Sequence, residues 1–323
     1  MAEQDNTKAV YEVACSPHVR EEINTAGIML DVLIALSPLV LAAFLVFGVA
    51  ALRQVVYAVL SAWAAESLFN WMRGKPFSLK DGSAAITGVI LALSLPATAP
   101  WYVAVLGSFV GIGIGKAIFG GLGYNLFNPA MVGRAFVMIA FPSLLGASAY
   151  VLPNSTVDAL TSATPLTLLK MEGVITGFKA LFLGTTNGSL GETSALACLI
   201  GGIYLCLRRT AAWQIPVAML GTMALISALF ISFNLLSVLR ELAAGAALFG
   251  AFFIATDPVS SPVTPKGRWV FGVFVGLFVM VLRKLSGYPE GVMFAVLLAN
   301  AVTPLINRWT IPIPVGGPVP VRK

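Results

Sequence analysis

The chain has 323 residues, of which 58% are hydrophobic and 11% charged. Soluble domains carry roughly 25% charged residues, so this composition excludes a water-solvated globule and points to a lipid environment. The formal net charge of +6 raises the question of a nucleic-acid partner, but its distribution follows membrane topology and argues against one.

In chain order, residues 1–22 are polar and lack the basic-then-apolar pattern of a cleaved signal peptide, so no processing is expected. Ten apolar runs follow, each long enough, or nearly so, for the ~20 helical residues that a bilayer core requires. They are 27–48, 53–71, 83–97, 101–119, 129–148, 193–208, 213–233, 239–256, 269–285 and 290–308. The third and sixth are short, which suits helices broken or buried within protein. The expected fold is an all-α polytopic membrane protein. Residues 1–22 form an N-terminal segment, 23–148 a first five-helix repeat, 149–190 a polar loop, 191–309 a second five-helix repeat and 310–323 a tail.

With a cytoplasmic N-terminus and alternating spans, thirteen Lys and Arg residues fall inside: Lys8, Arg20, Arg73, Lys75, Lys80, Lys116, Arg208, Arg209, Lys266, Arg268, Arg308, Arg322 and Lys323. Six fall outside (Arg53, Lys170, Lys179, Arg240, Arg283 and Lys284), and Arg134 lies within a span. Cytoplasmic loops carry the excess of basic residues. Both termini are therefore expected in the cytoplasm of a bacterial cell membrane protein, with the 149–190 loop on the other side.

The fourth and ninth runs resemble each other. Trp101 precedes Lys116 and then Gly123-Tyr124; Trp269 precedes Lys284, at the same spacing, and then Gly287-Tyr288. Glycines recur every fourth residue at Gly107, Gly111 and Gly115 and at Gly272 and Gly276, a spacing that lets helix backbones approach closely. A proline-rich break precedes each run, at 94–100 and at 257–265. A repeat of five spans must be inverted in the membrane, and interrupted segments at matching places point to a site near the pseudo-two-fold axis. Chance likeness between glycine-rich spans is the rival explanation. Gly111-Ile-Gly-Ile-Gly115-Lys116 is not a phosphate loop, because Val110 and Ala117 break the Walker pattern and no strand–turn–helix unit surrounds it.

The only histidine is His18, and Cys15, Cys198 and Cys206 form no CxxC or Cys/His cluster, so no metal or iron–sulfur site is expected from this chain alone. Nor is there a Ser/His/Asp or Cys/His catalytic arrangement, and hydrolase chemistry finds no support. The polar loop carries Asp158-Ala-Leu-Thr161-Ser162-Ala163-Thr164. From these residues alone two readings stay open. One is an ordinary Ser/Thr-rich turn. The other is covalent flavin attachment, in which a transferase esterifies the FMN phosphate onto the final threonine and needs small neighbours to reach it.

Ionisable residues within spans are costly and are functional candidates by default. Asp31 lies near the start of its span, where the cytoplasmic interface is an adequate home. Glu66 shares a helix face with Asn70 at i+4, which fits an internal polar network or a cation path. Asp257 and Glu290 stand beside the two Pro/Gly-rich breaks, where freed carbonyls help coordinate Na⁺; turn capping is the rival for Asp257. Arg134 is placed to neutralise a flavin phosphate or one of these acids, or to snorkel to the interface.

Several motifs in order carry a resemblance across essentially the whole chain. They are Ser16-Pro-His-Val-Arg20, the segment 120–133 (Gly-Gly-Leu-Gly-Tyr-Asn-Leu-Phe-Asn-Pro-Ala-Met-Val-Gly), Thr161-Ser-Ala-Thr-Pro-Leu166 and Gly191-Glu-Thr-Ser-Ala195. Ala255-Thr-Asp-Pro-Val-Ser-Ser-Pro262, Gly287-Tyr-Pro-Glu-Gly291 and Phe294-Ala-Val-Leu-Leu-Ala-Asn300 complete the set. Together they resemble the D subunits of the Rnf complexes, a family similar to the B subunits of the sodium-pumping NADH:quinone reductases; the short polar start favours the Rnf side. The resemblance implies a ten-helix flavoprotein with FMN in phosphoester linkage to Thr164, and Asp158, Thr161, Ser162 and Ala163 as the positions that a flavin transferase reads. The family usually has glycine where this chain has Ser162. It also implies a second, non-covalent flavin such as riboflavin, the other membrane and peripheral subunits of an Rnf complex as partners, and ferredoxin-to-NAD⁺ electron transfer coupled to Na⁺ or H⁺ movement. In that reading the chain relays electrons. A small-solute channel or facilitator with inverted repeats is the rival from another class, and fold alone does not choose between them. A structural membrane scaffold would leave Thr164 unmodified.

Overall fold

The computed structural model describes residues 24–75, 81–145, 164–171, 173–230, 233–287 and 290–312. Among them all regular structure is helical, with no strand. The first half contains α1 (Thr25–Phe47), α2 (Val49–Met72), α3 (Ser83–Leu93), α4 (Trp101–Ile112, continued by a π-helical turn Gly113–Ala117), α5 (Pro129–Ala140) and α6 (Pro142–Leu145). Two short helices follow, α7 (Pro165–Met171) and α8 (Phe178–Leu183). The second half contains α9 (Ala195–Leu207), α10 (Gln214–Phe230), α11 (Leu235–Ala243), α12 (Ala247–Phe249, continued by a π-helical turn Gly250–Ile254), α13 (Pro265–Leu285) and α14 (Val292–Thr310).

Helix starts follow local chemistry. The Asn24 side chain accepts from Gly27 N at 2.7 Å. Asn128 accepts from Ala130 N at 3.0 Å and Thr264 from Gly267 N at 3.0 Å, each with a proline at the first helical position. Between the capped ends the helices are apolar, and large residues such as Leu30, Leu41, Leu45, Leu60 and Leu229 point outward. Exposed apolar surface on this scale marks a lipid-facing protein. Among the described residues α1 and α14 each suffice by length and composition to cross a membrane, and the bent α11–α12 pair does so if it is taken as one broken span.

Burial is greatest where the sequence predicts a short span: every residue of α3 is buried. α3 packs on α1, α2, α4 and α5, while α2 also packs on α4 and α4 on α5. In the second half α10 packs on α11 and α13, and α13 on α14. The halves meet where α1 lies against α9 and α5 against α14.

The glycine rows do bring backbones together, but against different partners. A Cβ on Gly111 would stand 2.6 Å from the Pro129 carbonyl oxygen, so α4 presses on α5; one on Gly272 would stand 2.7 Å from the Ile215 carbonyl, so α13 presses on α10. The likeness between the two runs thus serves two non-equivalent contacts. The predicted continuous run 239–256 is instead two helices bent by 69°. Gly245 turns the chain there at φ +64°, a left-handed conformation open to glycine without strain. The predicted run 129–148 ends its long helix at Ala140, and Pro142 opens a new short one. Proline cannot donate to the preceding turn.

Candidate functional site

Thr164 is the last residue before α7 and acts as its cap. Its Oγ1 accepts from Thr167 N at 3.3 Å and lies 2.9 Å from Thr167 Oγ1, while its carbonyl accepts from Leu168 N at 2.9 Å. The same residue borders a cavity of about 120 Å³ between α5, α6, α7, the segment 186–192 and the start of α14. The lining divides by chemistry. Met138, Leu145, Leu166, Leu181 and Met293 supply apolar walls, and Arg134, Thr186, Asn187, Glu192 and Glu290 supply polar groups. An apolar cleft with a few convergent polar groups is the usual form of a cofactor site.

Charges in this wall are held by neighbours. Arg134 Nη1 lies 3.4 Å from Glu192 Oε1, with both side chains largely buried. Glu192 sits on a segment anchored to the first proline break: Gly191 N donates to the Leu93 carbonyl at 2.6 Å and Leu190 N to the Leu95 carbonyl at 3.0 Å. Carbonyls freed where α3 stops are thereby satisfied. Gln54 donates to the Ala99 carbonyl further along the same break. Glu290 accepts from Ala246 N at 3.0 Å, which caps the start of α12, and lies 3.4 Å from Arg283 Nη2. Arg283 also donates to the carbonyls of Glu241 at 2.8 Å and Ala244 at 2.9 Å, closing the end of α11.

A second cavity, of about 80 Å³, lies at the other end of α5. Asn125, Asn128, Lys116, Ser83, Thr87 and Asp257 border it together with Met29, Ile86, Phe252 and Phe253. Here Lys116 Nζ lies 2.6 Å from Glu66 Oε1 and donates to Ser83 Oγ at 2.6 Å. Asp257 organises the second break as a turn: its carboxylate accepts from Val259 N at 3.4 Å and Ser260 Oγ at 2.8 Å. Asn128 Nδ2 reaches the Ile254 carbonyl at 3.3 Å, and Thr303 Oγ1 the Ser260 carbonyl at 3.1 Å. Asp31 joins α1 to α9, accepting from Tyr204 at 3.1 Å, Arg208 at 3.3 Å and Thr210 at 3.2 Å.

Of the residues that stand out in the sequence, Thr164, Arg134 and Glu290 therefore share one cavity, Asp257 borders the other, and Glu66 stands behind the second through Lys116. Asp158, Thr161, Ser162 and Ala163 lie outside the described residues. Four buried charges do not announce themselves in the sequence. Lys116 and Arg283 fall near the ends of the runs 101–119 and 269–285 and count there only toward the charge asymmetry, but are 4% exposed each, and Glu241 and Glu192 look like ordinary polar positions. Glu192 does carry a usable signal, an acid set in the small-residue run Gly188–Ala195 just before an apolar stretch.

Comparison with known proteins places this arrangement in a family. Residues 12–316 match the family described as "NQR2, RnfD, RnfE family". The chain is 40% identical to the D subunit of the proton-translocating ferredoxin:NAD(+) oxidoreductase complex of Clostridium ljungdahlii, over 98% of this chain and 99% of that one. It is 43% identical to the D subunit of the Na(+)-translocating ferredoxin:NAD(+) oxidoreductase complex of Acetobacterium woodii, over 92% and 93%. It is 39% identical to the D subunit of the ion-translocating oxidoreductase complex of Actinobacillus succinogenes, over 94% and 97%. The chain belongs to the NQR2, RnfD, RnfE family of membrane proteins.

Proposed function

We propose that this protein is the D-type membrane component of an ion-translocating oxidoreductase complex, which couples electron transfer between ferredoxin and NAD⁺ to movement of Na⁺ or H⁺. Near full-length likeness to components so named supports the reading. Its partners are then the other subunits of the complex and, during maturation, a flavin transferase. Ten spans in two inverted five-helix repeats, with both termini in the cytoplasm of a cell-membrane protein and the 149–190 loop outside, form the architecture of this reading. The matching contacts α2–α4 with α10–α13, and α4–α5 with α13–α14, support it.

Thr164 carries FMN through a phosphoester in this proposal. The observation that carries it is the position of Thr164 in the lining of a cavity with both apolar walls and a half-buried arginine. Bound there, the flavin would supply one-electron relay. The chain's own residues do the rest. Met138, Leu145 and Met293 exclude water from a flat aromatic ring, and Arg134 offers a cation toward negative charge in the cavity. In this proposal the second, non-covalent flavin belongs to the cavity at the other end of α5, whose lining includes Asn125, Ile86, Phe252 and Phe253. A solute channel has no use for an esterified threonine.

Denaturing gels read for flavin fluorescence test the attachment. Thr164→Ala should abolish fluorescence that survives denaturation, and Thr161→Ala should reduce it. Undiminished fluorescence in Thr164→Ala would move the flavin elsewhere or remove it from the account.

A further inference from the structure

The helix that begins at the acceptor threonine is capped at its start and anchored to α13 at its far end. α7 buries Leu166 and Thr167, which are 7% and 3% exposed. At its far end the Lys170 ammonium donates to the Arg283 carbonyl at 2.9 Å and to the Ser286 carbonyl. These belong to the last turn and cap of α13, where carbonyls lack helical partners and a cation is favoured. At its near end the Thr164 hydroxyl is engaged by Thr167. A modifying enzyme must surround the oxygen it modifies, yet this one is half-buried, hydrogen-bonded and on a pinned segment.

We infer that α7 is a strap that lifts off α13 for flavin attachment and docks again afterwards, and that Lys170 is the positioning residue that holds it down. The inference rests on Thr164 being the attachment site. In the transfer, the Thr164 Oγ–P bond forms as the pyrophosphate bond of a flavin dinucleotide donor breaks. The second nucleotide's monophosphate leaves with the electron pair, the hydroxyl proton passes to a base of the transferase, and no electrons change hands. That step needs α7 off α13. Redocking through Lys170 and Leu166 then returns the modified threonine to the rim of the cavity lined by Arg134 and Met138.

The test uses the full-length chain, purified in detergent from cells lacking the transferase and then exposed to transferase and flavin dinucleotide. Lys170→Gln removes the charge and keeps most of the length. It should accept flavin on the order of tenfold faster than wild type, because both hydrogen bonds of Lys170 lose their charge assistance while a neutral donor remains, and Lys170→Arg should stay near wild type. Made with the transferase in cells, Lys170→Gln should carry full flavin that iodide quenches more strongly. Leu166→Ala loosens the same strap from its apolar anchor and should act in the same direction, so a Lys170→Gln chain that fails to fold does not end the test. Equal transfer rates and equal quenching for wild type, Lys170→Gln and Leu166→Ala would overturn the strap. Co-expression with the transferase separates the two claims: a wild-type chain left without flavin there defeats the attachment reading itself.

Discussion

Buried charge in this protein is paired across long stretches of chain. Glu66 and Lys116 meet at 2.6 Å with both side chains almost fully enclosed. Removing one member strands the other in a low-dielectric interior, a change that costs about 3–5 kcal/mol, whereas replacing both by apolar residues of similar volume is far milder. Lys116→Met should therefore lower the melting temperature of the detergent-solubilised protein sharply, and Lys116→Met with Glu66→Leu should recover most of the loss. Equal damage from single and double variants would show that the pair is not the unit. Asp257 differs, since its carboxylate closes a turn through Val259 N and Ser260 Oγ, and asparagine caps nearly as well. Asp257→Asn should keep stability and ion-stimulated turnover close to wild type. Retained stability with lost turnover would instead make Asp257 a contact of the coupling ion.

At the scale of elements, close helix contact depends on missing side chains. Gly111→Ala sets a methyl 2.6 Å from the Pro129 carbonyl oxygen. Backbone must move to admit it, at a cost of about 1–3 kcal/mol. Gly221→Ala on α10 meets nothing within 4 Å among the described residues and should be neutral or slightly stabilising, because alanine is the better helix former. Thermal unfolding followed by circular dichroism distinguishes the two, and a neutral Gly111→Ala would contradict the α4–α5 packing. The helices themselves are legible in the sequence because apolar runs bounded by Asn24, Asn128-Pro129 and Thr264-Pro265 carry their own start signals. The bend at Gly245 is not. A single glycine between alanines reads as ordinary helix until Glu290 is seen to take the Ala246 N–H. Lys116–Glu66 and Arg283–Glu241 are likewise invisible, because residues some forty or fifty positions apart meet only once the bundle has folded. Thr164 is legible in the motif around it, but the cap it forms and the cavity it borders are not.

For the whole molecule, the proposed topology sets which end faces which side of the membrane. The exposed residues Lys179, in α8, and Lys266, at the start of α13, lie on opposite sides in that topology. Cysteine at position 179 should react with an impermeant maleimide added to spheroplasts, and cysteine at 266 only in inverted vesicles. The reverse pattern would invert the topology and leave the loop out of reach of an extracytoplasmic transferase. The central claim, that this chain is a flavin-bearing redox component of its complex, is tested most directly by mass spectrometry of the 158–170 peptide from cells expressing the transferase. The account predicts that this peptide carries the mass of one FMN less water, with fragment ions assigning it to Thr164. Recovery of the peptide wholly unmodified from the assembled complex would contradict it.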